Sequence, residues 1–239
     1  MLRKFFLDLF FPSFCLGCNK EGSFICYDCR STMEISEHNY CLCRQKPIRL
    51  PPGSQNGRCY RCRDKRLSGL FSALPYKEKF LTRKLIYQLK YPPYIKALAK
   101  ASAEIITEHL ISTKNNTEKV WQNSLLAPVP MEKSKMKGRG YNQAAELAKE
   151  LSEIIKVPVI LDNLIKNKKT LPQMELDAKK RAENIKGAFL VKNSSEIRGK
   201  KIFLVDDVYT TGATMEECAK ILKEADARSV WGIVIAREG

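Results

Sequence analysis

The chain has 239 residues, of which 44% are apolar and 28% are charged, so it can form one large domain or a medium domain beside a small one. Its formal net charge of +16 at pH 7 raises the expectation of a polyanionic partner, although a generally lysine-rich composition would give the same value. No apolar run approaches the roughly 20 residues that span a bilayer, and Asp8 interrupts the apolar opening, which lacks a small-residue cleavage site. These features predict a cytoplasmic protein without a transmembrane segment.

The first predicted element is a short amphipathic helix that Pro12 ends. Its apolar side chains recur at helical spacing on one face: Leu2, Phe5, Phe6, Leu9 and Phe10. Such a face either packs on the body of the protein or docks on a partner or a membrane surface.

Eight of the nine cysteines lie within the first 62 residues as four close pairs. Two residues between thiolates let one tight turn present both sulfurs to one ion, and two such turns complete a tetrahedral zinc site. Because disulfides are disfavoured inside cells, we interpret the pairs as one or two structural zinc sites, with an iron–sulfur cluster or a redox pair as the alternatives. The predicted first site is Cys15, Cys18, Cys26 and Cys29, and the predicted second is Cys41, Cys43, Cys59 and Cys62. The third pair has a single intervening residue, and a crossed arrangement of the pairs also fits the spacing.

A short strand at residues 70–74 and two amphipathic helical segments are predicted next. The apolar positions of the first segment are Leu81, Leu85 and Leu89, and those of the second run along one face: Leu98, Ser102, Ile105, Ile106 and Leu110. We interpret His109 on the second segment as a packed or surface histidine and not as a catalyst. Residues 113–123 are polar and predict a loop.

From residue 124 onward, apolar strand segments alternate with helical ones, which is typical of an α/β fold with a parallel sheet covered by helices. The predicted strands are 124–129, 157–161, 188–191, 202–205 and 230–236. Two basic loops interrupt them, one at residues 133–139 with Lys133, Lys135, Lys137 and Arg139, and one at residues 166–181. Each basic loop either grips an anion or is a solvated run of charge.

The stretch from residue 201 to 215 carries the chemistry. A buried strand is predicted to end at Asp206 and Asp207, and a hydroxyl-rich loop leads into a helix that the spacing predicts from Met215 onward. Loop amides at a helix N-terminus seat a phosphate, and this loop comprises Thr210, Thr211, Gly212, Ala213 and Thr214. Adjacent carboxylates suit the hydroxyls of a ribose or a water-bridged divalent cation. The pattern therefore predicts a sugar-phosphate site at the carboxyl end of the strands. Cys218 lies on the apolar face of the predicted helix, so we interpret it as a core residue.

Residues 205–214 resemble the phosphoribosyl pyrophosphate (PRPP) signature of type I phosphoribosyltransferases. With the four Cys pairs, the Tyr-Gln-Leu-Lys-Tyr run at 87–91, Pro-Val-Pro at 128–130 and Arg-Gly-Tyr-Asn-Gln at 139–143, the whole chain is similar to the ComF family of competence-associated proteins. The resemblance implies an N-terminal helix and double zinc ribbon over residues 1–68, then a phosphoribosyltransferase-like domain over 69–239, in a cytoplasmic protein linked to DNA uptake. It also implies that Asp206 and Asp207, the candidate catalytic pair, hold the ribose diol of Mg²⁺-bound PRPP, and that residues 210–214 hold its 5′-phosphate.

The resemblance also implies that the two basic loops bind the pyrophosphate of PRPP. Arg139, Lys166 and Lys168 are the candidate pyrophosphate ligands, and the segment from Lys166 through Arg181 to Asn184 is similar to a loop that closes over PRPP. Family members often carry arginine where this chain has Lys166 and Lys168, and lysine lacks the two-pronged guanidinium fork.

Two functions are compatible with the sequence. One is a Mg²⁺-dependent phosphoribosyltransferase whose acceptor the sequence does not name. The other is a non-catalytic module that senses PRPP and contacts single-stranded DNA or a competence helicase. In the second case Tyr40, Tyr60 and Phe71 would stack on bases, although packing within the ribbon or core explains these aromatic residues equally well.

Overall fold

The computed structural model describes residues 12–54, 56–76, 81–115, 118–168 and 183–238. The amphipathic helix predicted from Leu2 to Phe10, and Arg181 with most of the second basic loop, lie outside the described residues. Among the helices that the structure describes, none combines the length and apolar character needed to cross a membrane.

The described residues form six strands, and four of them build the central sheet. In chain order the strands are β1 Gly69–Pro75, β2 Ser124–Pro128, β3 Leu164–Lys166, β4 Phe189–Val191, β5 Lys201–Tyr209 and β6 Ser229–Arg237. The sheet has the order β1-β6-β5-β2 and all its pairings are parallel, whereas β3 and β4 form a separate antiparallel pair. The predicted parallel α/β sheet is therefore confirmed.

Helices cover both faces of this sheet. They are α1 Tyr27–Ser31, α2 Leu81–Lys90, α3 Leu98–Ser112, α4 Glu118–Trp121, α5 Lys133–Arg139, α6 Gln143–Ile155 and α7 Ala213–Glu224. The two amphipathic segments predicted before the sheet correspond to α2 and α3. His109 on α3 is fully buried, and its Nδ1 lies 2.6 Å from the carbonyl oxygen of Ser36, so the interpretation as a packed histidine is confirmed.

Strand β5 divides the core in two because its successive side chains point to opposite faces. Ile202 and Leu204 pack with α7, and Phe203 and Val205 pack with α2, α3 and α6. All four side chains are fully buried, as expected for a parallel strand covered on both faces.

The two cysteine-rich segments lie on opposite faces of the sheet. Residues 16–35 of the first pack beside α3, and Arg30 donates to Glu104 and Glu108 at 3.0 and 3.1 Å. In the second, Leu42 and Leu67 are almost fully buried in the core on the α7 side. The second segment therefore shares a hydrophobic core with the sheet.

Several predicted boundaries were wrong. Residues 157–161 make a single parallel bridge, between Val159 and Leu126, and not a full strand. The strand predicted at 188–191 pairs with β3 outside the main sheet. The first basic loop is a helix, α5, in which lysine, methionine and arginine favour the helix and which Gly140 ends in the left-handed conformation. The polar stretch 113–123 also contains the one-turn helix α4.

Strand β5 is longer than predicted because β6 continues to pair with it. The register joins Asp206 to Val234, Val208 to Ala236 and Tyr209 to Arg237, so both aspartates lie within the strand. Helix α7 begins at Ala213, two residues earlier than the apolar spacing indicated. The loop between them is consequently short.

Candidate functional site: the carboxyl edge of the sheet and two cysteine clusters

Asp207 is a buried carboxylate held by two neighbouring helices. Only 4% of the residue is exposed. Lys90 at the end of α2 places its Nζ 2.9 Å from Oδ1, and Gln143 at the start of α6 donates to Oδ2 at 3.1 Å. Burial alone would lower the pKa of Lys90, but the charges of Asp207 and Asp206 raise it, so this lysine stays protonated.

The residues around Gln143 hold it in place. Arg139 donates to its Oε1, and Asn142 caps α6 by accepting from the amide of Ala144 at 3.0 Å. Tyr141 donates to the carbonyl of Leu89 at 2.9 Å, which ties the loop to α2. The two motifs at 87–91 and 139–143 therefore meet at Asp207.

Lys90 and Gln143 were not among the candidate site residues of the sequence analysis. They occur in two of the motifs that carry the family resemblance, and that is the signal that could have found them. Their shared contact with Asp207 joins positions more than 50 residues apart, which no local pattern reveals.

Asp206 differs from its neighbour in exposure and in chemistry. It is half-buried, and its Oδ1 accepts the amide of Asp207 at 2.9 Å. Burial and the adjacent charge of Asp207 raise the pKa of Asp206 to about 7, although Lys90 and the amide bond oppose this. Asp206 can therefore change its protonation state near neutral pH.

The loop after β5, residues 210–214, is the predicted phosphate-binding segment, and we call it the anion-cradle loop. Gly212 has φ of 78°, and the amide of Ala213 donates to Oγ1 of Thr211 at 3.3 Å. A Cβ on Gly212 would lie 2.3 Å from the hydroxyl oxygen of Tyr209, so the loop is packed directly on this ring. Thr210 and Thr214 flank the turn and are half-buried, which leaves the first amides of α7 at the carboxyl edge of the sheet.

The predicted pyrophosphate ligands lie in different surroundings. Arg139 is joined to Asp207 through Gln143, as described above. Burial and the charge of Lys135 lower the pKa of Lys166 on β3. Burial raises the pKa of the Cys218 thiol, and the charge of Asp206 adds to this effect while that of Lys166 opposes it. Lys168 is exposed at the end of a described segment.

The cysteines form two separate four-sulfur clusters, so the uncrossed pairing is confirmed. In each, the four sulfurs lie within 4.8 Å of one another: Cys15, Cys18, Cys26 and Cys29 in cluster 1, and Cys41, Cys43, Cys59 and Cys62 in cluster 2. Sulfur–sulfur distances of 3.6 Å (18 to 26, and 43 to 59) match the edge of about 3.8 Å expected for a tetrahedron with Zn–S bonds of about 2.3 Å. The one-residue spacing of the third pair does not prevent closure.

Backbone amides support the thiolates in both clusters. The amide of Cys26 donates to Sγ of Cys15 at 3.3 Å, and the amide of Ile48 donates to Sγ of Cys41 at 3.1 Å. Burial acts to raise the pKa of Cys15, yet hydrogen bonds from the amides of Cys26, Cys18 and Gly17 bring it down to about 6. Four sulfurs without an oxygen ligand fit structural zinc.

Cluster 2 is bonded directly to the end of the sheet. Arg237 at the end of β6 donates to the carbonyls of Cys41 and Cys43 at 3.0 and 2.8 Å. Tyr209, which lies under Gly212, donates to the carbonyl of Leu42 at 3.4 Å. The first knuckle of cluster 2 therefore helps to support the anion-cradle loop.

This contact predicts different effects for the two clusters. We expect the purified protein to hold two zinc ions, and Cys18→Ser and Cys59→Ser each to remove one, measured by metal analysis. Cys59→Ser should also lower the midpoint of thermal unfolding more than Cys18→Ser, because Leu42, Tyr209 and Arg237 lose their shared support. One zinc ion per wild-type chain, or equal losses of stability, would contradict the arrangement.

Two protein families match the chain: a double zinc ribbon domain over residues 6–63 and a phosphoribosyl transferase domain over residues 136–239. The chain is therefore similar to a double zinc ribbon domain in its first part and to a phosphoribosyl transferase domain in its last part. The match over residues 6–63 includes the eight cysteines of cluster 1 and cluster 2. The match over residues 136–239 includes Asp206, Asp207 and the loop that follows them.

Relatives named for competence or DNA utilization are similar over 46% to 91% of the chain. Competence protein ComFC of Bacillus subtilis (strain 168) is 29% identical over 230 residues, covering 91% of this chain and 86% of that protein. Competence protein F of Haemophilus influenzae is 39% identical over 115 residues, covering 46% of this chain but only 50% of that protein. The DNA utilization protein YhgH of Salmonella typhi is 25% identical over 218 residues, covering 86% and 93%. The predicted resemblance to the ComF family is confirmed.

Two solved structures show a low similarity to part of the chain. The phosphoribosylpyrophosphate synthetase of Mycobacterium smegmatis is 15% identical with a TM-score of 0.34, covering 58% of this chain and 33% of that chain. The purine phosphoribosyltransferase of Pyrococcus horikoshii Ot3 is 13% identical with a TM-score of 0.35, covering 58% and 81%. These scores are low, so the site is interpreted from its own residues.

Proposed function

We propose that the carboxyl edge of the sheet binds PRPP with Mg²⁺, and that the protein is a phosphoribosyltransferase-like protein that supports DNA uptake. The observation that carries the proposal is the side-by-side placement of a half-buried acid and an anion cradle. Asp206 ends the central part of β5, and the Gly212 turn follows within six residues. A sugar phosphate likewise carries a diol and a phosphate that lie close to each other.

The two aspartates take different roles in this proposal. Asp206 accepts hydrogen bonds from the ribose hydroxyls, since it is the more exposed acid. Asp207 is already bonded to Lys90 and Gln143, so it acts as a positioning residue that fixes β5 and the two helices. The amides of residues 212–214 and the hydroxyls of Thr210 and Thr211 surround the 5′-phosphate.

Transfer of the phosphoribosyl group does not require a covalent bond between the protein and the substrate. The bond from the anomeric carbon to pyrophosphate breaks, pyrophosphate leaves with the electron pair, and an acceptor forms the new bond to that carbon. Magnesium bound to PRPP would neutralise part of the pyrophosphate charge. The chain has to orient the ribose and stabilise charge, which Asp206, Arg139, Lys166 and Lys168 can do without a nucleophilic side chain.

The proposed link to DNA uptake rests on the relatives. Two proteins named for competence or DNA utilization are similar over 91% and 86% of this chain. We expect deletion of the gene to lower transformation by external DNA. Catalysis is tested separately, by pyrophosphate release from PRPP in the presence of cell extract.

The PRPP site is tested by Gly212→Ala. The new methyl group would collide with Tyr209, so PRPP affinity should fall about tenfold or more when measured by calorimetry with Mg²⁺. Gly199→Ala is the matched control, because Gly199 has a similar φ of 70° but nothing within 4 Å of the added Cβ. A wild-type protein that does not bind PRPP, or equal affinity in the two variants, would refute the site.

A further inference from the structure

Cluster 2 is built from two knuckles, and each contacts a different end of the anion-cradle loop. The first knuckle contains Cys41 and Cys43, and the second contains Cys59 and Cys62. Sγ of Cys43 and Sγ of Cys59 lie 3.6 Å apart, so one zinc ion bound by all four sulfurs would join the knuckles directly. Two parts of the ribbon that residues 44–58 separate in sequence would then move as one unit.

The first knuckle contacts the residue that precedes the loop. Tyr209 is 1% exposed, and its hydroxyl donates to the carbonyl of Leu42, which lies between the two cysteines of this knuckle. The tyrosine ring lies directly under Gly212, where an added Cβ would collide with it. A movement of this knuckle would therefore move the ring on which the loop packs.

The segment after the second knuckle contacts the helix that follows the loop. Glu216 lies in the first turn of α7, and its Oε2 accepts the amide of Arg66 at 2.7 Å. Nζ of Lys65 lies 3.9 Å from Oε1 of Glu216 and donates to the hydroxyl of Tyr209 at 3.5 Å. The fully buried side chain of Leu67 anchors the segment in the core. The second knuckle is therefore connected to the helical end of the loop.

Zinc at cluster 2 would hold both of these contacts in place at once. The amides of residues 212–214 can surround a phosphate only while the loop keeps its shape, which depends on Tyr209 at one end and Glu216 at the other. With the knuckles joined, the loop is ordered before the phosphate arrives, so less order has to be created on binding. With the knuckles free to separate, only a fraction of the molecules has a competent loop, and the apparent affinity falls by that fraction.

We propose that zinc at cluster 2 and PRPP at the anion-cradle loop bind cooperatively, and that Tyr209 and Glu216 are the positioning residues that join the two sites. The linkage rests on the proposed function, since PRPP is one of its two ligands. Because linkage is reciprocal, PRPP tightens zinc binding at cluster 2 by the same factor by which zinc tightens PRPP binding. Cluster 1, which packs beside α3 on the other face of the sheet, takes no part in it.

The linkage is tested by competition for zinc with a fluorescent chelator, with and without saturating Mg²⁺ and PRPP. Cys18→Ser leaves cluster 2 as the zinc site and Cys59→Ser leaves cluster 1, so each cluster is measured alone. We expect PRPP to raise the zinc affinity of Cys18→Ser about tenfold, within the usual range for coupled sites, and to leave that of Cys59→Ser unchanged. An equal change in both variants would overturn the proposal, because PRPP would then be acting on free zinc.

A matched pair of substitutions on α7 tests the positioning role in the Cys18→Ser background. Glu216→Ala removes the acceptor of the Arg66 amide in the ribbon. Glu217→Ala, the control, removes the acceptor of the Gly187 amide, which is bonded at 2.8 Å but lies outside the ribbon. Glu216→Ala should reduce the effect of PRPP on zinc affinity from about tenfold to less than about threefold, and Glu217→Ala should preserve it.

Tyr209→Phe tests the other end of the loop, because it keeps the ring under Gly212 and removes only the hydroxyl. The effect of PRPP on zinc affinity should fall here as well. If either variant weakens zinc and PRPP separately but keeps the factor between them, the residue has only a structural role and the assignment is wrong.

Calorimetry of the wild type with PRPP separates this linkage from the proposed function. PRPP binding without any effect on zinc affinity at cluster 2 would overturn the linkage alone. Absence of PRPP binding would overturn the proposed function and the linkage with it.

Discussion

Asp206→Asn should make the folded protein more stable at pH 8 while it weakens PRPP binding. The pKa of this carboxyl rises from its ordinary 3.8 to about 7 on folding, so the folded state binds the proton more tightly than the unfolded state. The contribution of Asp206 to stability is therefore full below about pH 4 and is lost as the pH rises to about 7. The uncharged amide avoids this loss and still accepts the amide of Asp207.

Thermal unfolding from pH 5 to pH 8 measures the effect. The advantage of Asp206→Asn over the wild type should widen up to about pH 7 and stay constant above it, with a shift of about 2–4 °C for each kcal/mol. PRPP affinity should fall about 10–100-fold, the cost of losing hydrogen bonds to a charged acceptor. Asp64→Asn is the control, since the side chain of Asp64 is 94% exposed. A pH-independent difference in stability would contradict the raised pKa.

Lys90→Met should be the most destabilising substitution at the site. It leaves the Asp207 carboxylate buried without its cation, and we expect the free energy of unfolding to fall by about 3 kcal/mol. This is the lower end of the range for a buried pair, because the Lys90 side chain is 29% exposed. Chemical denaturation measures the loss, with Lys100→Met as the control on an exposed helix position.

A second substitution separates this ion pair from simple loss of packing. Asp207→Asn in the Lys90→Met background removes the stranded charge, while the amide oxygen still accepts from Gln143. The double variant should therefore regain much of the lost stability. If it is no more stable than Lys90→Met alone, the ion pair does not hold α2 to β5.

The sequence predicted those parts of the molecule that depend on local patterns. The apolar run before Asp206 predicted a strand that is buried on both faces, because the pattern lies within one strand. The Cys spacing predicted the zinc sites, because each pair of cysteines lies within one tight turn. The extension of β5 to Tyr209 depends on pairing with β6, which is formed by residues more than 20 positions later. The partners of Asp207 come from two helices that follow different strands.

The burial of Leu42 and Leu67 beneath the sheet has a consequence for how such proteins arise. A fragment that begins at residue 69 would expose the surface that these two leucines cover, and Arg237 would lose the carbonyls it binds. Neither half is then a free-standing module that recombination could exchange for another. We expect the two parts to have been inherited together, with substitutions in one compensated by changes in the other.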